Sequence, residues 1–153
     1  MPAASPKFLT GLGNRRAFDE MATVEVARSA RTGRPLSLVV ADLDAFKAIN
    51  DEHGHLAGDD CLRQVAAVVR SAVRRPDACF RWGGDEFALL LPETDLDAAE
   101  AVTERLTGAV EETCRAPGGC SITLGVGVAQ HDGDETPEAL LARADRALLV
   151  AKS

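Results

Sequence analysis

The alternation of apolar and polar positions divides the chain into helical and extended stretches. Residues 1–8, with two prolines and small side chains, read as a linker. Leu9-Thr10-Gly11-Leu12-Gly13-Asn14 is a turn, with Asn14 as N-cap of a helix. Phe18, Met21, Ala22, Val24 and Ala27 give that helix a rough apolar face, and Gly33 with Pro35 ends it. Leu36–Ala41 is apolar on both faces after Ser37, the pattern of a central strand. Acids stand at its C-terminal end, and a short helix then puts Phe46 and Asn50 four residues apart on one face. Gly54–Asp59 reads as a second turn and cap. The long helix after it carries Leu62, Val65, Ala66, Val69 and Val73 inward and stops at Arg74-Arg75-Pro76-Asp77.

Two apolar runs, Ala78–Phe80 and Phe87–Leu91, are joined through Gly83-Gly84. Glycine supplies cheaply the positive φ of tight hairpin turns, so this segment predicts a β-hairpin over roughly 78–91. Asp95 or Asp97 caps a further helix with Ala99, Val102, Leu106 and Val110 inward. Pro117-Gly118-Gly119 is a break, Ser121–Ala129 a strand and 131–136 a polar loop. Pro137 opens a last helix with Leu140, Leu141, Ala144, Leu148 and Ala151 inward. The core order β-α-β-β-α-β predicts an α+β fold, an α/β sandwich on a ferredoxin-like sheet with extra helices and a hairpin.

Composition narrows the function. The 153 residues suit one domain with a real core, and with aromatics at 4% that core must be built from Leu, Val and Ala. A net charge of −7 argues against polymeric nucleic acid as partner, because such affinity comes from Lys and Arg on phosphates. A mononucleotide stays open, since metal ions can neutralise its phosphates. The four cysteines form no Cys-x-x-Cys and read as small core residues in a reducing compartment. The first residues have no apolar signal core, and no apolar run approaches the ~18 residues of a membrane span. The expectation is a soluble cytoplasmic piece, or the cytoplasmic part of a longer membrane-anchored protein.

The chemistry concentrates after the hairpin glycines. Asp85 and Glu86 are adjacent carboxylates, which repel each other and are depleted in strands. They make sense where a divalent cation sits between them and a substrate phosphate. Gly83 and Gly84 would let such a ligand approach the backbone. The plainer alternative is an ordinary hairpin whose acids point to water.

Four separated stretches decide between these readings: Leu9–Arg16, Asp42–Asp51, Gly54–Asp59 and Arg81–Phe87. In this order and spacing the chain over 9–153 resembles the GGDEF domain of diguanylate cyclases. That family makes cyclic di-GMP from two GTP, on a fold similar to polymerase palms and adenylyl cyclase cores. The resemblance implies metal ligation by Asp42, the Leu43 carbonyl, Asp85 and Glu86, with two Mg²⁺ per site, a role open also to Mn²⁺. Either Asp85 or Glu86 would deprotonate the attacking hydroxyl. It implies phosphate contacts from Phe46, Lys47, Gly83, Gly84 and Lys152, and guanine reading by Asn50 and Asp59. The bland reading of Asp59 is a helix N-cap. Arg74, Asp77 and Arg105 match an inhibitory cyclic di-GMP site; a helix C-terminus also favours arginines, but that does not account for Asp77.

The resemblance further implies a working homodimer and an upstream sensor domain missing from this chain. Departures from the family pattern are Lys7 in place of Asp, Leu149 in place of Tyr, and an end at Ser153 where the family continues with Gly-Arg. The rival readings are a non-catalytic cyclic di-GMP receptor and a scaffold. Retention of both hairpin acids favours the enzyme.

Overall fold

The computed structural model describes residues 12–152, so the expected linker, Lys7 and the chain end at Ser153 lie outside the described residues. The elements are α1 (Arg15–Thr32), β1 (Leu36–Leu43), α2 (Phe46–His53), α3 (His55–Ala72), β2 (Ala78–Gly83), β3 (Glu86–Pro92), α4 (Leu96–Thr113), β4 (Leu124–Gln130) and α5 (Pro137–Lys152). The four strands form one sheet in the order β2-β3-β1-β4, with every neighbouring pair antiparallel. This is the ferredoxin-like arrangement expected from the element order, and the fold class is α+β.

The period of two along each strand sorts side chains to two cores. Val39, Ala41 and Leu43 of β1 join Phe87, Leu89 and Leu91 of β3 beneath α3 and α4, with Leu62, Val65, Val69, Leu106 and Val110 facing them. Leu36, Leu38 and Val40 join Ala88 and Leu90 on the opposite face, against Phe18, Ala22 and Val26 of α1 and Leu140 and Ala144 of α5. Covering both faces explains why β1 reads as apolar throughout. Each fully buried Leu or Val contributes about 1.5–3 kcal/mol relative to exposure. Among the described residues, no helix is long and apolar enough to cross a membrane.

Helix caps follow the sequence where a side chain reaches back. Asn14 accepts from the Ala17 amide and Asp95, not Asp97, from the Ala98 amide. Elsewhere tertiary pairing moves the boundaries. β1 runs on to Leu43 because Asp42 pairs with Glu86 on one side and Gly125 on the other. β4 starts at Leu124, not Ser121: Ser121 bridges to Arg115, and Ile122 is buried with its amide on the Cys114 carbonyl. α3 begins directly after Gly54, so the expected turn and cap over 54–59 is already helix, and Asp59 lies inside it. In the hairpin the central turn residues are Gly84 and Asp85, since Gly83 pairs with Glu86 beyond a bulge at Arg81. Both glycines carry a positive φ, 127° at Gly83 and 52° at Gly84.

The expectations for the α1 face, Ala151 and the cysteines are refined, and Trp82 and His131 add contacts of their own. Trp82 packs inward, edge-on to Phe18 at 5.1 Å, with the Arg15 guanidinium 4.5 Å from its ring centre. Ala151 of α5 is exposed, not inward, and so are Met21, Val24 and Ala27 of α1. The buried face of α1 is Phe18, Ala22, Val26 and Ser29, because that face meets the sheet. Cys61 and Cys114 are buried, Cys79 half-buried and Cys120 exposed; all are free thiols. His131, which carries no signal in the sequence, is 4% exposed and ties its loop with both ring nitrogens: one meets the Glu135 carbonyl at 2.8 Å, and Nδ1 accepts from the Gly133 amide.

α5 lies directly on β4. A Cβ on Gly127 would stand 2.3 Å from both the Ala144 carbonyl oxygen and the Leu148 amide nitrogen. Backbone cannot move aside as a flexible side chain can. Gly127→Ala is therefore expected to destabilise the domain by about 1–3 kcal/mol through overpacking, measured by urea denaturation. An unchanged midpoint would mean that α5 does not lie this close.

Candidate active site

The β1–β3 register places the acids. Asp42 is directly opposite Glu86, and the Leu43 amide donates to the Asp85 carbonyl at 3.2 Å. By strand alternation Asp42 and Glu86 share the face of Val40 and Ala88, towards α5. Gly125 is opposite Asp42 on the other side. A row Glu86–Asp42–Gly125 thus crosses three strands at one end of the sheet, beside the turn that carries Asp85.

Lys152, in the last turn of α5, comes down onto this row. Its ammonium is 2.9 Å from Asp44 Oδ1 and 3.0 Å from Asp42 Oδ1. The Asp44 contact is a hydrogen bond. Asp42 Oδ1 is buried and accepts no directed hydrogen bond. The donors converging here are carboxylate oxygens, the ligand type of a hard divalent cation, and the orphaned oxygen on Asp42 fits such an ion.

α2 begins beside β1. Ala45 is in the left-handed region, and no side chain caps the helix, so the amides of its first turn have no side-chain acceptor. Phe46 is half-buried, while Lys47 is exposed and paired with Asp51 at 3.1 Å. Asn50 lies against α3: a Cβ on Gly58 would fall 1.9 Å from Asn50 Oδ1, an atom that is buried without a partner. Asp59 follows Gly58 directly and is half-buried. Gly83 and Gly84 have open space where a Cβ would stand. The Gly84 carbonyl accepts both Nε and Nη2 of Arg81, at 3.2 and 2.8 Å, which clasps the turn.

Arg74 and Asp77 stand in the loop before β2, at the far end of that strand from the Gly84 turn, about 20 Å away for six residues of strand. Asp77 is buried; its Oδ2 accepts from the Arg74 amide at 3.3 Å, and its Oδ1 has no partner. Burial holds the Asp77 carboxyl above its ordinary range. The Arg74 side chain is exposed. Arg105 is exposed on α4, and among the described residues no hydrogen bond or ion pair joins it to Arg74 or Asp77.

The model of the family described as diguanylate cyclase, GGDEF domain, matches residues 7–153. The chain belongs to the GGDEF domain family. It is 45% identical over 146 residues to the diguanylate cyclase DgcP of Pseudomonas aeruginosa, covering 94% of this chain and 22% of that protein. The crystal structure of the GGDEF domain of DgcB from Caulobacter crescentus, in complex with c-di-GMP, superposes with a TM-score of 0.93 at 30% identity. The match covers 99% of this chain and 92% of that one. The diguanylate cyclase SiaD from Pseudomonas aeruginosa, in complex with its activator SiaC, gives a TM-score of 0.88 at 44% identity, covering 94% of this chain and 56% of that one. The chain spans only 22% to 37% of the length of the first curated relatives.

Within this GGDEF domain the structure shows residues that the sequence did not single out. Asp44 is fixed by Thr123, whose Oγ1 donates to Asp44 Oδ2 at 2.7 Å and whose carbonyl accepts the Asp44 amide at 3.0 Å. Arg81 holds the turn. Gly125 makes room for Lys152. The alternation Gly125-Val126-Gly127 was a visible signal: two glycines on one face of a strand mark a close approach.

Burial pushes the Asp85 carboxyl above its ordinary range, and the Asp42 charge adds to this. Glu86 is raised by burial, then by the charges of Asp85, Asp145 and Asp42. Lys152 is raised by its contacts with Asp44 and then Asp42. An acid whose folded pKa is raised binds more protons folded than unfolded, so its penalty is full above the raised pKa and fades as pH falls towards the ordinary 3.8. Asp85→Asn is therefore expected to raise the melting temperature at pH 7 in chelator-containing buffer, with the gain shrinking towards pH 4. A gain independent of pH would mean that ionisation of Asp85 is not its cause.

Proposed function

We propose that this GGDEF domain condenses two GTP into cyclic di-GMP, releasing pyrophosphate. The observation that carries the reading is the convergence of Asp42, Asp85 and Glu86 at one end of the sheet, with a buried Asp42 oxygen that accepts no hydrogen bond. The reaction forms a bond from a ribose 3′-oxygen to an α-phosphorus and breaks the bond to pyrophosphate. Asp42, Asp85, Glu86 and the Leu43 carbonyl would hold two Mg²⁺, or Mn²⁺; bound there, such ions stabilise the attacking and leaving oxygens. Asp85 or Glu86 accepts the proton of the 3′-hydroxyl.

The rest of the site orients GTP. The uncapped amides of α2, with Phe46 and Lys47, and the open backbone at Gly83 and Gly84 suit the phosphates, and the Lys152 ammonium would add a positive charge for them. Asp59 accepts from guanine N1–H and N2–H₂, and Asn50 Oδ1, buried without a partner, supplies a further acceptor. Each domain holds one GTP, so the product requires two domains face to face as a homodimer. Cyclic di-GMP at Arg74 and Asp77, bridging to Arg105 of a second copy, would hold the two half-sites apart. GTP as substrate places this work in the cytoplasm, downstream of a sensor domain elsewhere in a longer protein.

Incubation with GTP and Mg²⁺, followed by chromatography, tests the reading. Wild type is expected to form cyclic di-GMP, and Asp85→Ala to lose at least about a hundredfold in rate while keeping its circular dichroism spectrum. Full turnover in that variant would remove Asp85 from the metal site. A wild type that binds cyclic di-GMP but makes none would be a receptor.

Base choice gives an independent test. Adenine presents an acceptor at N1, which a carboxylate repels. Asp59→Ser is expected to narrow the GTP-over-ATP preference by about 10- to 100-fold in competition assays. An unchanged preference would leave Asp59 as a helix residue only.

A further inference from the structure

The ammonium of Lys152 occupies the space between Asp42 and Asp44, and its two contacts differ in kind. Asp44 is hydrogen-bonded to it and is itself anchored on its second oxygen by Thr123. Asp42 makes a charge contact only. The approach is built into the sheet: a Cβ at Gly125 would stand 2.8 Å from Lys152 Cε and 3.2 Å from Asp42 Oδ1. Any larger residue there would separate the two groups.

Without a cation, four carboxylates (Asp42, Asp44, Asp85 and Glu86) gather around this end of the sheet, and like charges at short range disfavour one another. Among the described residues, Lys152 is the cation that pairs with Asp42 and Asp44 in the protein alone. A divalent ion would answer them too, but it needs the same Asp42 oxygen, and two cations a few ångströms apart repel.

We propose that Lys152 is a built-in counter-ion that competes with the divalent cation for Asp42. The inference rests on the reading of Asp42 as a metal ligand. When a cation takes Asp42, the lysine gives up the contact that lacks a hydrogen bond and keeps the one to Asp44. The ammonium is then left beside the ion with one carboxylate in place of two, ready for a phosphate. Cation alone binds weakly because it must evict the lysine. Cation with a nucleoside triphosphate binds better because the phosphate charge receives the displaced ammonium. The two ligands are thereby coupled through one side chain, and the coupling is reciprocal.

The test measures Mn²⁺ binding to the nucleotide-free protein, from the loss of the free-ion paramagnetic resonance signal. Lys152→Met is expected to bind Mn²⁺ about three- to tenfold more tightly than wild type, the range of a partly exposed ion pair. Lys152→Arg, which keeps the charge, should stay at the wild-type value. Arg146→Met, which removes a positive charge from the exposed side of the same helix, should also stay there. Equal or weaker binding by Lys152→Met, or equal tightening by Arg146→Met, would overturn the competition. Asp42→Asn separates the two levels of the argument. If it leaves wild-type Mn²⁺ affinity intact, the metal assignment itself falls. If it weakens binding while Lys152→Met changes nothing, only the lysine's role is lost. Circular dichroism melting of each variant checks folding, and Lys152→Gln, which also removes the charge and is expected to tighten Mn²⁺ binding equally, keeps the test decisive if the methionine variant is unstable.

Discussion

Everything at the candidate active site depends on the register of β1 against β3. Sliding that pairing by one residue would turn Asp42 from the α5 face to the α3 face and set it in the core with Phe87, Leu62 and Val65. The register is held by hydrophobic matching along the whole strand. Leu38 and Val40 must face α1 and α5, while Val39 and Ala41 must face α3 and α4. The acids at the strand ends are carried into place by apolar residues that make no contact with any ligand. The stability of the sheet and the geometry of the site are therefore one constraint.

A second constraint comes from α5. Gly125 and Gly127 let the helix lie directly on β4, and the same approach delivers Lys152 to Asp42 and Asp44 at its last turn. Helix docking and electrostatic balancing of the carboxylates are thus linked. On the other side, the Arg81 clasp on the Gly84 carbonyl stiffens the turn that carries Asp85, and the aromatic contact of Trp82 with Phe18 ties the same hairpin to α1. The loop of Arg74 and Asp77 belongs to the opposite end of β2. Any influence from there on the acids must travel along that strand or act through the position of a second domain.

Much was legible in the sequence because it was local. The caps at Asn14 and Asp95, the inward faces of α3 and α4, the central character of Leu36–Ala41 and the hairpin glycines all rest on neighbours within a few residues, whereas the inward face of α1 was misread in part. The motif stretches Asp42–Asp51 and Arg81–Phe87 named the acids, and the element order implied the ferredoxin-like sheet. The boundaries that shifted were those set by partners far along the chain: β1 continues to Leu43 because of Glu86 and Gly125, and β4 loses Ser121 to Arg115.

By itself, then, the sequence determined which elements form, which faces are apolar and which residue types gather at the hairpin, since periodicity and turn chemistry are properties of short stretches. Only the tertiary structure decided that Lys152 lies between Asp42 and Asp44, that Thr123 anchors Asp44, that Asn50 is pressed against Gly58, and that Asp59 sits within a helix. The first of these contacts joins residues more than a hundred positions apart, and its geometry is fixed by how closely one helix can approach one strand. No local pattern encodes that distance; it emerges from the absence of two side chains on β4 and the packing of both cores.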